Sequence, residues 1–272
     1  MKKPLDGILL ASDLDATLIA SDYTIPKRNL EAIERFKEKG GRFTIASGRS
    51  MATARAFIDV IRPNAPCILG NGAVIYDFHS GRIVWEQCLP EQSRRAVEAI
   101  MEAFDSVGVE AFCGRDVYIL RENERVRQQI ERDKLEVIYT AMADLPLERC
   151  HKFLFSDHPK RIEEIKDFTT CVSHDKIYFV KSSSFYLELL CAGMDKGTGL
   201  LHLAGALKID PRRTFAIGDY YNDIEMLEMA GVSACPSNAP KTLKEKADVL
   251  VGHCDDGAVA DFIEYIEQKY SV

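Results

Sequence analysis

Short apolar runs alternate with amphipathic stretches along the N-terminal part of the chain. Residues 7–12 (GILLAS) end at an aspartate, which predicts a buried parallel strand whose carboxyl end opens onto a site. A helix is predicted over 26–39, because apolar residues recur on one face and two glycines follow. The next predicted elements are a strand over 42–46, a helix over 51–61 and a strand over 67–69. This alternation is typical of a parallel sheet with crossover helices.

The pattern changes after Asn71-Gly72 and returns at Lys196. The intervening predicted elements are strands over 117–120, 135–139 and 152–155 and helices over 91–104 and 159–168. The elements predicted afterwards are helices over 197–207, 222–229 and 258–268, a strand over 214–217, and short strands near Val232 and Val249. We therefore predict an α/β core over residues 1–82 and 187–272, interrupted by an inserted α+β domain over 83–186.

Composition excludes several classes of protein. The net charge of -7 argues against a nucleic-acid-binding surface, which needs an excess of Lys and Arg. The eight cysteines form no CxxC pair, so reduced structural thiols are expected rather than a zinc site or a dense disulfide framework. The N-terminus leads into a short apolar run that Asp13 interrupts, which predicts neither a signal peptide nor a membrane span. A cytoplasmic location is the default expectation.

The motif DLDATL places Asp13 and Asp15 directly after the first predicted strand. Residues two apart in an extended segment face the same way. Two such carboxylates repel each other unless a cation lies between them or one holds a proton. A solvated loop with helix-capping aspartates is the alternative for this motif alone.

A second acidic motif, GDYYND, follows the strand predicted over 214–217 and contains Asp219, Asn222 and Asp223. The carboxyl ends of parallel strands meet at one edge of a sheet, so the two motifs are expected to converge. Oxygen-only ligands favour Mg²⁺. The alternative is an Asn-Asp helix cap after a glycine turn.

Two further segments supply groups that suit a phosphate. Ser47 and Gly48 lie between a strand and a helix, where a hydroxyl and backbone N–H groups can cradle an anion. Lys196 opens a helix, against the preference set by the helix dipole, which suggests a bound anion. An N-cap role for Ser47 and a solvent-facing Lys196 are the alternatives.

In order and spacing, DLDATL, the serine of IASGRS, the lysine of MDKG and GDYYND resemble the four motifs of the haloacid dehalogenase superfamily of phosphohydrolases. Asn71-Gly72-Ala73 and Asn238-Ala239 resemble its Cof-type, sugar-phosphatase-like subgroup. The resemblance implies a Rossmann-like parallel-sheet core with a cap inserted between the second and third motifs. It covers both core segments, whereas the cap matches only in position, length and coarse composition.

The resemblance also implies residue roles. Asp13 is then the nucleophile and Asp15 the acid/base, in a Mg²⁺-dependent phosphatase that forms an aspartyl-phosphate. The implied metal residues are Asp13, Asp15 through its backbone carbonyl, Asp219 and Asp223. The implied phosphate-binding residues are Ser47, Lys196 and Asn222, and the candidate substrate contacts are Thr17, Gly48 and Arg49, the last with a surface ion pair as its alternative.

The sequence leaves several questions open. Ala16 stands where the family usually has glycine, which bears on rate and substrate rather than on reaction type. A sugar phosphomutase on the same core, or a signalling receiver that keeps its phosphoryl group on Asp13, are the alternative functions. The expected partner is a small phosphorylated metabolite, with neither nucleic acid nor membrane; both a monomer and a homodimer fit.

Overall fold

The computed structural model describes residues 3–270; residues 1–2 and 271–272, which the predicted domain ranges include, lie outside the described residues. The strands are β1 (Leu9–Ser12), β2 (Arg42–Ile45), β3 (Cys67–Leu69), β4 (Val74–Asp77), β5 (Arg82–Glu86), β6 (Gly108–Cys113), β7 (Asp116–Arg121), β8 (Val137–Tyr139), β9 (Cys150–Ser156), β10 (Ile177–Ser183), β11 (Tyr186–Cys191), β12 (Thr214–Ile217), β13 (Val232–Pro236) and β14 (Val249–Val251). The α-helices are α1 (Lys27–Glu38), α2 (Met51–Ile61), α3 (Gln92–Ala103), α4 (Glu124–Asp133), α5 (Pro159–Val172), α6 (Lys196–Leu207), α7 (Ile224–Met229), α8 (Lys241–Lys244) and α9 (Ala258–Tyr270).

The chain divides into two compact units. Within the described residues, the first unit comprises 3–48, 56–85 and 195–270, and the second comprises 49–55 and 86–194. The sequence pattern set the divisions at 82/83 and 186/187 instead. The difference at the C-terminal division arises because β11 pairs with β9 and β10, which keeps the chain in the second unit beyond Cys191.

The first unit is built on a five-stranded sheet in the order β14-β13-β12-β1-β2. Every neighbouring pair is parallel, and β1 lies between β12 and β2, with Ser12 opposite Ile217 on one side and Ile45 on the other. All four residues of β1 are buried, which explains why three of them, Leu9, Leu10 and Ala11, are apolar. This register brings the residues that follow β1, β2 and β12 to the same edge of the sheet.

The remaining strands form two other sheets. A three-stranded sheet has the order β3-β4-β5, with β3 and β4 antiparallel. The second unit has a six-stranded sheet in the order β10-β11-β9-β6-β7-β8, antiparallel except for β7 and β8. Its core includes α3 and α5, through Val97, Ile100, Ile162 and Ile165. The α/β fold class with a parallel-sheet core is therefore confirmed.

One expectation about the cysteines is wrong. The structure joins Cys113 and Cys150 by a disulfide, whereas reduced thiols were expected. The two residues lie opposite each other on the antiparallel strands β6 and β9, a juxtaposition that sequence spacing does not show. The described free cysteines are Cys67, Cys88, Cys171, Cys191, Cys235 and Cys254.

Among residues 3–270, no helix combines the length and the apolar character that a membrane crossing requires. The cytoplasmic location stays a prediction.

Candidate active site

The acidic motifs converge at the carboxyl end of the parallel sheet. Asp13 directly follows β1, and its backbone N–H donates to the Ile217 carbonyl at 2.9 Å. Asp219 comes two residues after the end of β12, the neighbour of β1. One ligand atom from each of Asp13, Asp219 and Asp223 lies within 4.8 Å of the other two. Residues more than two hundred positions apart in sequence therefore share one site.

Lys196 lies at the centre of this carboxylate group. Its side chain is 1% exposed, and its Nζ donates to Asp13 Oδ1 at 2.6 Å and to Asp223 Oδ1 at 2.7 Å. It is the first residue of α6, which Asp195 caps by accepting from the Thr198 N–H at 2.7 Å. A solvent-facing role for this lysine is thus wrong, because the ammonium is buried between two carboxylates.

Asp223 serves both the local turn and the site. Its Oδ2 accepts from the backbone N–H groups of Asp219 and Tyr220, both at 3.0 Å, while its Oδ1 faces Lys196. Gly218 permits this fold-back, since a Cβ there would lie 2.4 Å from Asp223 Cγ. One carboxylate oxygen of Asp223 therefore caps the local turn, as the alternative interpretation expects, while the other faces the site.

Negative charge is in excess at this site. Burial, opposed by Lys196 and reinforced by the other aspartates, raises the pKa of Asp13 well above its usual range. Burial and Asp223 raise the pKa of Asp219 to about 6. Burial lowers the pKa of Lys196, but attraction to Asp13 and Asp223 outweighs that effect and raises it, so the lysine stays charged. One ammonium does not balance three carboxylates, and a proton or a cation must do so.

The donor set fits a magnesium ion. The three clustered carboxylates offer oxygen ligands only, which is the chemistry that Mg²⁺ prefers. Burial is the main reason that the pKa of Asp219 is raised, and repulsion from Asp223 is the next; a divalent cation would relieve that repulsion as a proton does. The observed residues are thus consistent with the predicted metal site.

Ser47, Gly48 and Asn222 all lie against Asn71, Ser47 through the backbone and the other two at the side-chain amide. The Ser47 carbonyl accepts from the Asn71 N–H at 3.1 Å, and Asn222 Nδ2 donates to Asn71 Oδ1 at 3.2 Å. Gly48 lies against the same amide, since a Cβ there would come within 2.9 Å of Asn71 Oδ1. Ser50 rather than Ser47 caps α2, because Ser50 Oγ accepts from the Thr53 N–H at 3.2 Å.

Three further residues that the sequence predicts for the site, Thr17, Asp15 and Arg49, differ in how they are placed. Thr17 is buried and donates from Oγ1 to Asp219 Oδ1 at 3.2 Å, so it holds an aspartate of the site. Asp15 is exposed, and its backbone forms a bridge with Ile19. Arg49 belongs to the second unit, where its Nη1 lies 3.5 Å from the Thr53 carbonyl.

Two asparagines of the site region had no predicted role. Asn71 adopts a left-handed backbone conformation, φ 52°, which places its amide between Gly48 and Asn222. Asn238 donates to the Ala16 carbonyl at 2.8 Å and so supports the turn after Asp15. The Asn71-Gly72 pair after a strand is a turn signal, but it does not reveal which side chain the turn supports.

Comparisons with known proteins identify the family. The family described as haloacid dehalogenase-like hydrolase matches residues 10–263. A 5-amino-6-(5-phospho-D-ribitylamino)uracil phosphatase of Bacillus subtilis is 25% identical over 94% of this chain and 96% of its own length. An HMP-PP phosphatase of Cronobacter sakazakii is 28% identical, with 94% of each chain covered.

A solved structure agrees with these relatives. The crystal structure of a haloacid dehalogenase-like hydrolase from Bacteroides thetaiotaomicron has a TM-score of 0.86 and 25% identity, and the match covers 95% of this chain and 99% of that one. The four motifs, the parallel-sheet core and these matches over nearly the whole chain all lead to one assignment. The chain belongs to the haloacid dehalogenase-like hydrolases.

Proposed function

We propose that this chain is a Mg²⁺-dependent phosphatase that acts on small phosphorylated metabolites through a covalent aspartyl-phosphate on Asp13. One observation carries the proposal. The buried Lys196 ammonium contacts Asp13 and Asp223 at 2.6 and 2.7 Å, at the carboxyl end of the central strand and beside Asp219. This arrangement presents a carboxylate oxygen next to fixed positive charge, as transfer of a phosphoryl group requires.

In the first step, a carboxylate oxygen of Asp13 forms a bond to phosphorus while the bond to the substrate oxygen breaks. Asp15 donates its proton to that leaving oxygen. Lys196 Nζ, held by two carboxylates, keeps Asp13 from repelling the phosphate. Ser47 and Asn222 provide further polar groups for the phosphate oxygens, with Asn222 oriented by Asn71.

In the second step, Asp15 takes a proton from water, whose oxygen bonds to phosphorus as the bond to Asp13 breaks. Inorganic phosphate leaves, and Asp13 returns as a carboxylate. The two steps need one carboxyl that first gives and then takes a proton, which is the role that the family resemblance implies for Asp15.

The residues that would hold Mg²⁺ are Asp13, Asp219 and the backbone carbonyl of Asp15, with Asp223 supporting them. When bound, the ion supplies positive charge that stabilises the equatorial phosphate oxygens. Asp219 is held for this task by Thr17, which donates to its Oδ1 at 3.2 Å. Asp223 is fixed by two backbone N–H groups and Lys196.

The substrate class follows the relatives. The Bacillus subtilis relative is a phosphatase of a phosphorylated ribitylaminouracil, and the Cronobacter sakazakii relative is an HMP-PP phosphatase. Both names describe small phosphorylated metabolites, although the compounds differ. We therefore propose this class for the present chain without choosing a member.

The test is release of phosphate from an aryl phosphate in the presence and absence of Mg²⁺. Asp13→Asn keeps the size of the side chain but removes the nucleophilic oxygen, so activity should fall by at least about a thousandfold. The matched control is Asp256→Asn, the same change at an exposed position of the same unit, which should retain activity. Undiminished release by Asp13→Asn, or release that is independent of divalent cations, would end the proposal.

A further inference from the structure

A group of metal-ligating side chains lies within the second unit and has no role in the proposed reaction. The Glu86 carboxylate, the Cys88 thiol and the His151 imidazole each offer one ligand atom, and these atoms all lie within 4.8 Å of one another. His151 Nε2 and Glu86 Oε2 are 2.9 Å apart. The three residues come from two segments more than sixty positions apart, so sequence spacing does not predict the group.

The two ligand-bearing segments are tied together. Glu86 ends β5, and Cys88 follows two residues later; His151 is the second residue of β9. The Leu89 N–H donates to the Cys150 carbonyl at 2.7 Å, which joins the neighbours of Cys88 and His151. His151 is 3% exposed, so its ring is enclosed by the surrounding chain. A histidine held in this way loses little freedom when it binds an ion.

The ligand types select the metal. A thiolate, an imidazole and a carboxylate form the mixed sulfur, nitrogen and oxygen set that suits Zn²⁺, with water as the fourth ligand. Bonds of about 2.0–2.3 Å in a tetrahedron place ligand atoms about 3.3–3.8 Å apart, a spacing that small side-chain rotations reach here. The thiolate and the carboxylate together balance the two positive charges. Mg²⁺ prefers oxygen ligands only, so the two sites select different ions.

In a comparable group in the first unit, backbone N–H groups already occupy the ligand atoms. His253, Cys254 and Asp255 are consecutive and also lie within 4.8 Å of one another. However, His253 Nδ1 accepts from the Asp255 N–H at 3.2 Å, and the Asp255 carboxylate accepts from the Ser21 N–H at 2.7 Å. Those contacts bind the side chains into a local turn.

We propose that Glu86, Cys88 and His151 form a zinc site that fastens the segment containing Glu86 and Cys88 to β9. On binding, the Cys88 thiol releases its proton to solvent and its sulfur bonds to the ion. The site closes a loop of more than sixty residues and stabilises the second unit in proportion to its affinity for zinc.

The test uses the full chain, stripped of metal with a chelator, kept in excess Mg²⁺ to occupy the carboxylate site, and titrated with Co²⁺. One equivalent of Co²⁺ should produce thiolate-to-cobalt charge-transfer absorption and the visible bands of tetrahedral cobalt, and Zn²⁺ should abolish both. Cys88→Ser should remove the charge-transfer absorption. His151→Gln should weaken binding by at least about tenfold.

Matched controls are Cys171→Ser, an exposed thiol in the same unit, and Cys254→Ser in the other histidine-cysteine group; both should keep the absorption. Glu86→Gln supplies a second test that leaves the thiol in place, with weaker cobalt binding expected. Wild-type protein without charge-transfer absorption, or absorption that persists in Cys88→Ser and vanishes in Cys254→Ser, would overturn the zinc site.

Discussion

The two units bury acidic side chains in different ways. In the first unit, Asp13 and Asp223 bind the ammonium of Lys196, and Asp219 lies beside these two carboxylates. In the second unit, Lys152 pairs with Glu188 at 3.2 Å, and Glu110 is fully buried on β6. Burial is the main reason that the pKa of Glu110 is raised to about 8.

The number of carboxyls that are buried together distinguishes the proposed metal site from a structural acid. A single buried carboxyl such as Glu110 can hold a proton at neutral pH and so avoid a buried charge. Three carboxylates that share one ammonium keep an excess of negative charge that a metal ion can balance. The strand-end position of the first group and the mid-strand position of Glu110 fit these two roles.

The largest effect is expected when the first unit loses its central cation. Lys196→Met leaves Asp13 and Asp223 buried without their partner, which should lower the free energy of unfolding by about 3–5 kcal/mol. Urea unfolding at pH 7.5 without divalent cations measures the change. Lys27→Met, at a side chain that is 89% exposed, is the control and should stay within about 0.5 kcal/mol of wild type. A similar small change for Lys196→Met would show that the cluster needs no ammonium.

A smaller effect, with the opposite sign, is expected in the second unit. Because the folded pKa of Glu110 is about 8 and its ordinary value is 4.5, the folded chain holds a proton that the unfolded chain releases between these values. The resulting contribution to stability is full below pH 4.5 and is lost as pH rises through 8. The difference between these two pKa values corresponds to about 4 kcal/mol at pH 8. Glu110→Gln removes the ionisation but buries an amide whose donors need partners, which costs about 2 kcal/mol, so the free energy of unfolding at pH 8 should rise by about 2 kcal/mol.

The measurement is urea unfolding of wild type and Glu110→Gln from pH 5 to pH 8.5, where the difference should grow with pH. Glu98→Gln, the same change at an exposed position of α3, controls for the altered net charge and should show no such trend. A difference between wild type and Glu110→Gln that is constant with pH would mean that Glu110 does not hold a proton.

The smallest effect concerns the turn after Asp15. Ala16 has φ 59°, a left-handed conformation that favours glycine, which explains why the family usually has glycine there. Ala16→Gly should relieve about 1–2 kcal/mol of backbone strain. The greater entropy of glycine in the unfolded chain offsets part of this, so the free energy of unfolding should rise by at most about 1 kcal/mol. Ala99→Gly, inside α3, should instead lose about 1 kcal/mol. Thermal unfolding of both variants compares them, and a destabilised Ala16→Gly would contradict the account.

Sequence reasoning reached most of the candidate site because its signals are local. Asp13 directly follows an apolar strand, Lys196 opens a helix, and Ser47 lies between a strand and a helix. The parallel-sheet rule then brings these separate segments together. The role of Asn71 could not be predicted, because its contacts with Asn222 and Gly48 join three separate segments of the folded chain.

The second unit was harder to predict because its elements break the usual patterns. The strand β6 is fully buried yet contains Glu110, and the helix α4 (ERVRQQIERD) offers only Val126 and Ile130 as apolar anchors. The strands β10 and β11 are linked through a serine-rich stretch that reads as a loop. The pairing of β11 with β9, and of β10 with β11, supplies the stabilisation that local propensity does not.

The most direct test of the central claim is to trap the phosphoryl group on Asp13. Asp15→Asn removes the carboxyl that we propose activates water, while an aryl phosphate has a leaving group that departs without help from an acid. Acid-quenched mass spectrometry during turnover with Mg²⁺ should therefore find a phosphoryl group on the peptide that contains Asp13. A phosphoryl group on another residue, or continued phosphate release with none on the protein, would contradict the account.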